Sequence, residues 1–165
     1  MQPLPEGAPD NIGEAFAKIS ASAAPSITDL QIMVLIEAAA KPGYGAMAAE
    51  ATHPEIKALM LANGREELAH AHRVARAIGI LTGGAPYPVP APEDNPYLTR
   101  PFPRAPISKA MLEGLAQSEF GGDGLYQKWA QSCPNPQVAE LFRQNGREET
   151  RHGERMKRAV ALYRD

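Results

Sequence analysis

The chain has a single cysteine, Cys133, in 165 residues. That excludes an internal disulfide framework and any metal site built from several thiolates, and it suits a reducing compartment. An excess of one charge is also missing. The balance of 17 basic and 19 acidic side chains leaves a net charge of -2. With no dense Lys/Arg run either, there is no electrostatic footprint for nucleic acid. Long apolar runs are absent too: the longest, "LQIMVLIEAAA", is too short to span a bilayer and contains Glu37. The opening "MQPLPEGAPDNIGEAF" lacks a basic start followed by an apolar segment, so no secretory signal is expected and the expected location is cytoplasmic. The length suits one domain with a sizeable core.

What the chain does have is proline, and proline divides it. Eight of the 16 lie between Pro86 and Pro106, a segment that cannot be helical and is expected to run extended, partly as polyproline II. Residues 1–25 read as an irregular lead-in. A first helix is expected from about Ile27–Asp29 through "AMAAEA", with Pro42 kinking it or loosening a turn. A second runs from Pro54, well placed at a first helical position, to about Leu81 before Gly83-Gly84. A third spans about Ser108–Gln131. A fourth runs from Pro136 to about Tyr163. The domain thus reads as one unit: hairpin 27–81, Pro-rich crossover 82–107 and hairpin 108–163.

The two hairpins are copies. "NGREELAH" at Asn63–His70 returns as "NGREETRH" at Asn145–His152, an offset of 82 residues. The same offset carries Pro54 to Pro136, Leu59 to Leu141, Arg73 to Arg155, Glu37 to Glu119 and Tyr44 to Tyr126 without a gap. A duplicated hairpin joined by a long connection predicts two pairs packed about an approximate two-fold axis as a four-helix bundle.

Residues i and i+3 share a helix face, so Glu67 projects with His70 and Glu149 with His152. Glu37 lies among apolar neighbours and Glu119 holds the matching place. Together these are four carboxylates and two imidazoles at one level of the bundle. Four unpaired buried carboxylates would not stay ionised. Two divalent cations with neutral imidazoles cancel the charge, and this donor set suits Fe(II), Mn(II) or a mixture of them. Glu67 and Glu149 are the expected bridges; Glu37 and Glu119 are the expected terminal ligands.

On these residues, Glu37, Glu67-x-x-His70, Glu119 and Glu149-x-x-His152 in that order, the chain resembles the ferritin-like superfamily. Within it the likeness is to rubrerythrin-like dimetal-carboxylate proteins, over residues 27–163. The ligand pattern itself is a general one for such bundles. The resemblance implies an all-α, ferritin-like fold with two iron ions, or Mn and Fe, reacting with dioxygen or peroxide as a ferroxidase, peroxidase or small-substrate oxygenase. It implies an external electron donor, since no Cys-rich rubredoxin module is present, and is compatible with a homo-oligomer. It also implies that Tyr44 and Tyr126, seven residues after each first Glu, hydrogen-bond ligand carboxylates. Two alternatives are an iron-storage or iron-handling subunit and a monooxygenase similar to the tRNA-modifying di-iron hydroxylases. Rubrerythrins carry a further Glu three residues after the third-helix ligand, where this chain has Gly122.

Other expectations are more modest. Asn63 and Asn145 share the inward face and are expected to donate hydrogen bonds around the site. Gly64 and Gly146 are expected to allow close helix approach or space beside it. Gly121, Gly122 and Gly124 suggest a bulge or open space next to Glu119. Glu66 and Glu148 point about 100° away from the ligands, which predicts surface pairing with Arg65, Arg73 or their counterparts. His72 reads as a surface residue, His53 as a turn residue, Trp129, Met33, Met47 and Met60 as core, and Cys133 carries no assignment.

Overall fold

The computed structural model describes residues 1–164. Among them are five α-helices and no strand: α1 Ile12–Ala21, α2 Ile27–Glu50, α3 Pro54–Thr82, α4 Lys109–Ser132 and α5 Pro136–Leu162, with a 3-10 turn at Pro92–Asp94. The ends of α2 shifted by the repeat offset fall on the ends of α4, so the duplication in sequence is a duplication of helices.

Local chemistry sets these ends. Ser26 Oγ accepts from Asp29 N at 3.1 Å while Asp29 returns the bond from Ser26 N at 2.9 Å, closing a capping box on α2. Its repeat partner Ser108 caps α4 through Met111 N. His53 Nδ1 accepts from Glu55 N at the start of α3, and Asn135 Oδ1 accepts from Gln137 N and Val138 N at the start of α5. Both α3 and α5 open on proline, where the missing N–H has no partner to lose. Gly83, at φ 67°, ends α3 in the left-handed region. The helix α2 continues through Pro42 without interruption.

Helix α2 packs on α3 and α4 on α5, and the two pairs join through α3 and α5. The apolar core is in two parts. One gathers Leu30, Val34, Val74, Ile78, Trp129 and Phe142; the other gathers Ala48, Ile56, Met60, Leu112 and Met156. Met33 also lies in the core, and Met47 is partly buried against it.

The lead-in departs from the expectation of irregular chain. It carries α1, capped by Asn11 and held by the burial of Ala15 and Ile19. Asn11, the alanines and the apolar spacing of Ile12, Ala15, Phe16 and Ile19 are the local signal for it, but ten residues are too few to be stable alone, and tertiary packing holds the helix. The crossover returns along the helices: Tyr87 N donates to Ala75 O at 3.2 Å, and Asn95 Nδ2 donates to Leu35 O at 2.8 Å.

Gly64 shows why the repeat tolerates glycine inside a helix. A Cβ there would lie 3.0 Å from Tyr44 Cβ and 3.2 Å from Lys41 O, so α2 and α3 touch backbone to backbone at this point. Gly64→Ala is expected to cost about 1–3 kcal/mol through overpacking. Gly45→Ala, with nothing within 4 Å, is expected to gain about 0.5–1 kcal/mol from helix propensity. Urea midpoints of the two variants on opposite sides of the parent would bear this out.

Candidate metal centre

Between the two apolar parts lies a polar layer. Glu37, Glu67, His70, Glu119, Glu149 and His152 are all buried, the two histidines completely. Ligand-type atoms of Glu67, His70, Glu149 and His152 lie within 4.8 Å of one another, a buried group of two carboxylates and two imidazoles that could hold metal ions.

The arrangement is reciprocal. His70 Nδ1 faces Glu67 Oε2 at 3.3 Å, Glu149 Oε1 at 3.2 Å and Glu37 Oε2 at 3.6 Å. His152 Nδ1 faces Glu67 Oε1 at 3.2 Å, Glu149 Oε2 at 3.6 Å and Glu119 Oε2 at 3.3 Å. Glu67 and Glu149 therefore present one oxygen to each imidazole, while Glu37 and Glu119 each serve one. The Nδ1 of His70 is buried and makes no hydrogen bond, although three carboxylates surround it. An inward imidazole nitrogen with three carboxylates converging on it is the geometry that a cation in place of the proton completes.

The hydroxyls of Tyr44 and Tyr126 cross between the hairpins. Tyr44 OH donates to Glu119, and Tyr126 OH donates to Glu37. Burial raises both phenols, and the neighbouring carboxylates raise them further, so both stay protonated donors. Asn63 Nδ2 donates to Tyr44 OH at 3.2 Å and to His152 O at 3.4 Å; Asn145 Nδ2 donates to His70 O at 3.4 Å.

Glu148 and Glu66 pair with Arg73 and its counterpart Arg155 as expected, but not at the surface. Glu148 is buried, and its Oε2 lies 3.2 Å from His70 Nε2. Glu66, half-buried, lies 3.0 Å from His152 Nε2. Arg73 donates to both oxygens of Glu148 at 2.8 and 3.0 Å and to Asn145 Oδ1 at 2.7 Å. Arg155 donates likewise to Glu66 at 3.0 and 2.8 Å and to Asn63 Oδ1 at 3.1 Å. A direction of 100° from the ligands leads not to water but to the facing helix of the other hairpin, because α3 and α5 pack together. The signal was present: Glu66 with Arg73, and Glu148 with Arg155, recur seven residues apart in both copies. Arg65 and Arg147 do face water, and His72 is exposed.

These outer carboxylates fix the imidazoles. A carboxylate on Nε2 holds a proton there, so that Nδ1 is the nitrogen that turns its lone pair inward once its own proton is lost. Burial raises a carboxyl group, but hydrogen bonds from His70 and Arg73 outweigh it and bring Glu148 down to about 2. Burial alone would lower both imidazoles; the bond from Nε2 to Glu148 and the carboxylates of Glu149, Glu37 and Glu67 around Nδ1 carry His70 well above its ordinary value. Bonds to Glu119, Glu149 and Glu67 push His152 up to about 11. Within the inner set, burial and then Glu67 raise Glu37 to about 7, and the same two causes raise Glu149. Glu67 lies lower, because the bond from His152 and the neighbouring His70 imidazole overcome its burial.

A cation entering at Nδ1 must displace these protons. Near neutral pH both imidazoles, Glu149 and about half of Glu37 carry protons, so uptake should release about three to four protons per chain, and affinity should rise with pH through about 7, where Glu37 ionises, and on towards about 11, where His152 does. Calorimetric Mn(II) titrations in buffers of differing ionisation enthalpy count the protons. Proton-neutral uptake would contradict binding at these nitrogens.

Of the three glycines after Glu119, only Gly122 borders the site: a Cβ there would lie 3.1 Å from Glu149 Cδ. Gly121 and Gly124 are exposed with nothing within 4 Å, and α4 runs through all three without a bulge. No family model, curated protein or solved structure matches the chain.

Proposed function

We propose that this chain is a ferritin-like four-helix-bundle protein in which Glu37, Glu67, His70, Glu119, Glu149 and His152 hold two iron ions that react with dioxygen or peroxide. The observation that carries the reading is the pair of inward Nδ1 atoms, one without any hydrogen bond, each facing three carboxylates of which two are shared. Charge supports it. Four inner carboxylates match two dications once both imidazoles are neutral, while Glu66 and Glu148 are matched by Arg155 and Arg73. Oxygen donors with one imidazole per ion suit iron or manganese better than copper or thiophilic ions.

When bound, iron would supply the electrons that reduce the oxidant. The chain's own part is positional. Glu67 and Glu149 span the two sites, Tyr44 and Tyr126 orient Glu119 and Glu37, and Glu148 and Glu66 keep each Nε2 protonated so that Nδ1 points inward. The absence of Glu at Gly122 separates this chain from the rubrerythrin pattern and favours an oxidase or small-substrate oxygenase over rubrerythrin-type peroxide reduction.

Anaerobic Fe(II) titration tests the assignment. Saturation at about two ions per chain is expected, followed by near-ultraviolet charge-transfer absorption on admitting dioxygen or peroxide. Comparing the two oxidation rates identifies the oxidant. Continued uptake of many ions would instead make it an iron-storage subunit, and no uptake would remove the metal reading altogether.

A further inference from the structure

Helices α3 and α5 close on each other, but α2 and α4 do not. The gap is a cavity of about 280 Å³ whose floor is Glu37, Glu67, Glu119 and Glu149. Its walls are Met33, Ile36, Met47 and Leu115. Ile12 and Phe16 of α1 and Phe102 of the crossover stand over it, and each remains more than a third exposed. The Phe102 ring is seated on α2 at Gly43, where a Cβ would lie 3.3 Å from Cε1. Beyond that ring lies a second cavity of about 290 Å³, sharing Gly43, Met47 and Phe102 with the first and lined further by Ala46, Ala105 and Met111. The repeat places Leu125 opposite Gly43, so the seat belongs to the first hairpin alone.

We propose that the cavity between α2 and α4 is a binding site for a small, uncharged, apolar molecule, with Phe102 limiting its length. The lining gives the chemistry. The hydroxyls on the floor already donate to Glu37 and Glu119, and the walls are hydrocarbon or thioether. Ser118 is the hydroxyl at the margin, and it is exposed. An anion would meet four carboxylates, and a polar molecule would exchange water for carbon. The volume is roughly twice the ~150 Å³ that holds benzene, enough for about ten carbon atoms. The inference rests on the metal-centre reading for what the molecule does there, not for whether it binds.

Equilibrium dialysis of the full chain against naphthalene tests it, with naphthalene-1-sulfonate as the charged match and metal uptake measured in parallel. One saturable naphthalene site per chain is expected, weakened tenfold or more by Ala40→Trp, which fills the cavity from α2, with metal uptake unchanged. Ser118→Trp, at an exposed position on α4, repeats the test if Ala40→Trp loses its helical circular dichroism. Failure of naphthalene to bind the parent, or undiminished binding to the folded filled variants, overturns the site. Equal binding of the sulfonate overturns the ligand class. Metal uptake without naphthalene binding would sink the cavity alone; naphthalene binding without metal uptake would sink the metal reading alone. A dimer that Phe16→Ser dissociates, without naphthalene uptake, would make the mouth a subunit interface and end the proposal.

Discussion

Glu149→Gln is expected to lower the affinity for Fe(II) or Mn(II) by roughly a hundredfold or more, since even outer partners of a metal ligand are worth about ten- to a hundredfold. The same variant should leave the metal-free chain nearly as stable as before. Both expectations come from geometry and charge together. Glu149 presents one oxygen to each imidazole, so an amide removes a donor from both of the proposed sites at once. In the metal-free chain, burial and the nearby Glu67 already favour its neutral carboxyl form, which an amide of the same shape imitates. Glu67→Gln should differ. Its carboxylate is held ionised between His70 and His152, so its loss should lower both metal affinity and metal-free stability. Thermal melts with and without Mn(II) separate the cases. A Glu149→Gln chain that still gained the parent's full metal-induced stabilisation would exclude Glu149 as a ligand.

Glu148→Ala is expected to weaken metal binding by about ten- to a hundredfold although Glu148 is not itself a proposed ligand. It should also destabilise the metal-free chain by roughly 2–3 kcal/mol, the scale of hydrogen bonds to charged groups. Removing the carboxylate takes the acceptor from His70 Nε2 and Arg73 Nη2, and leaves Arg73 Nη1 with Asn145 alone. The imidazole then loses the partner that keeps its proton on Nε2. A merely structural role for Glu148 predicts lost stability with unchanged affinity in the folded fraction, so both must be measured. Pairing the variant with Arg73→Ala in a double-mutant cycle should show effects far from additive, because the two residues form one network. Additive losses would mean that Glu148 acts without Arg73.

Much of this could be read from single helices. The capping residues, the prolines at N1 and the glycine pair after Thr82 are local signals, and the helix ends follow them closely. Glu67 with His70, or Glu37 with Tyr44, are relations of helical spacing and hold whatever the helix packs against. The repeat multiplied each weak local signal by two. Where reading by spacing failed, as with α1, Glu66 and Glu148, the deciding contact came from another element. Ala15 and Ile19 bury against the core to hold α1, and Glu148 finds its histidine 78 positions away.

The sequence by itself determined the duplicated hairpins, the inward Glu-x-x-His faces and the place of Gly64, because each depends on spacing along one helix. Only the tertiary structure decided that Tyr44 serves Glu119 and Tyr126 serves Glu37, that the outer carboxylates reach across from α3 to α5, and that α1 and Phe102 wall a cavity above the site. Those outcomes depend on how one hairpin seats against the other and where the crossover lies. Hydrophobic burial drives that packing without direction, so the pattern along one helix does not specify which side chains meet.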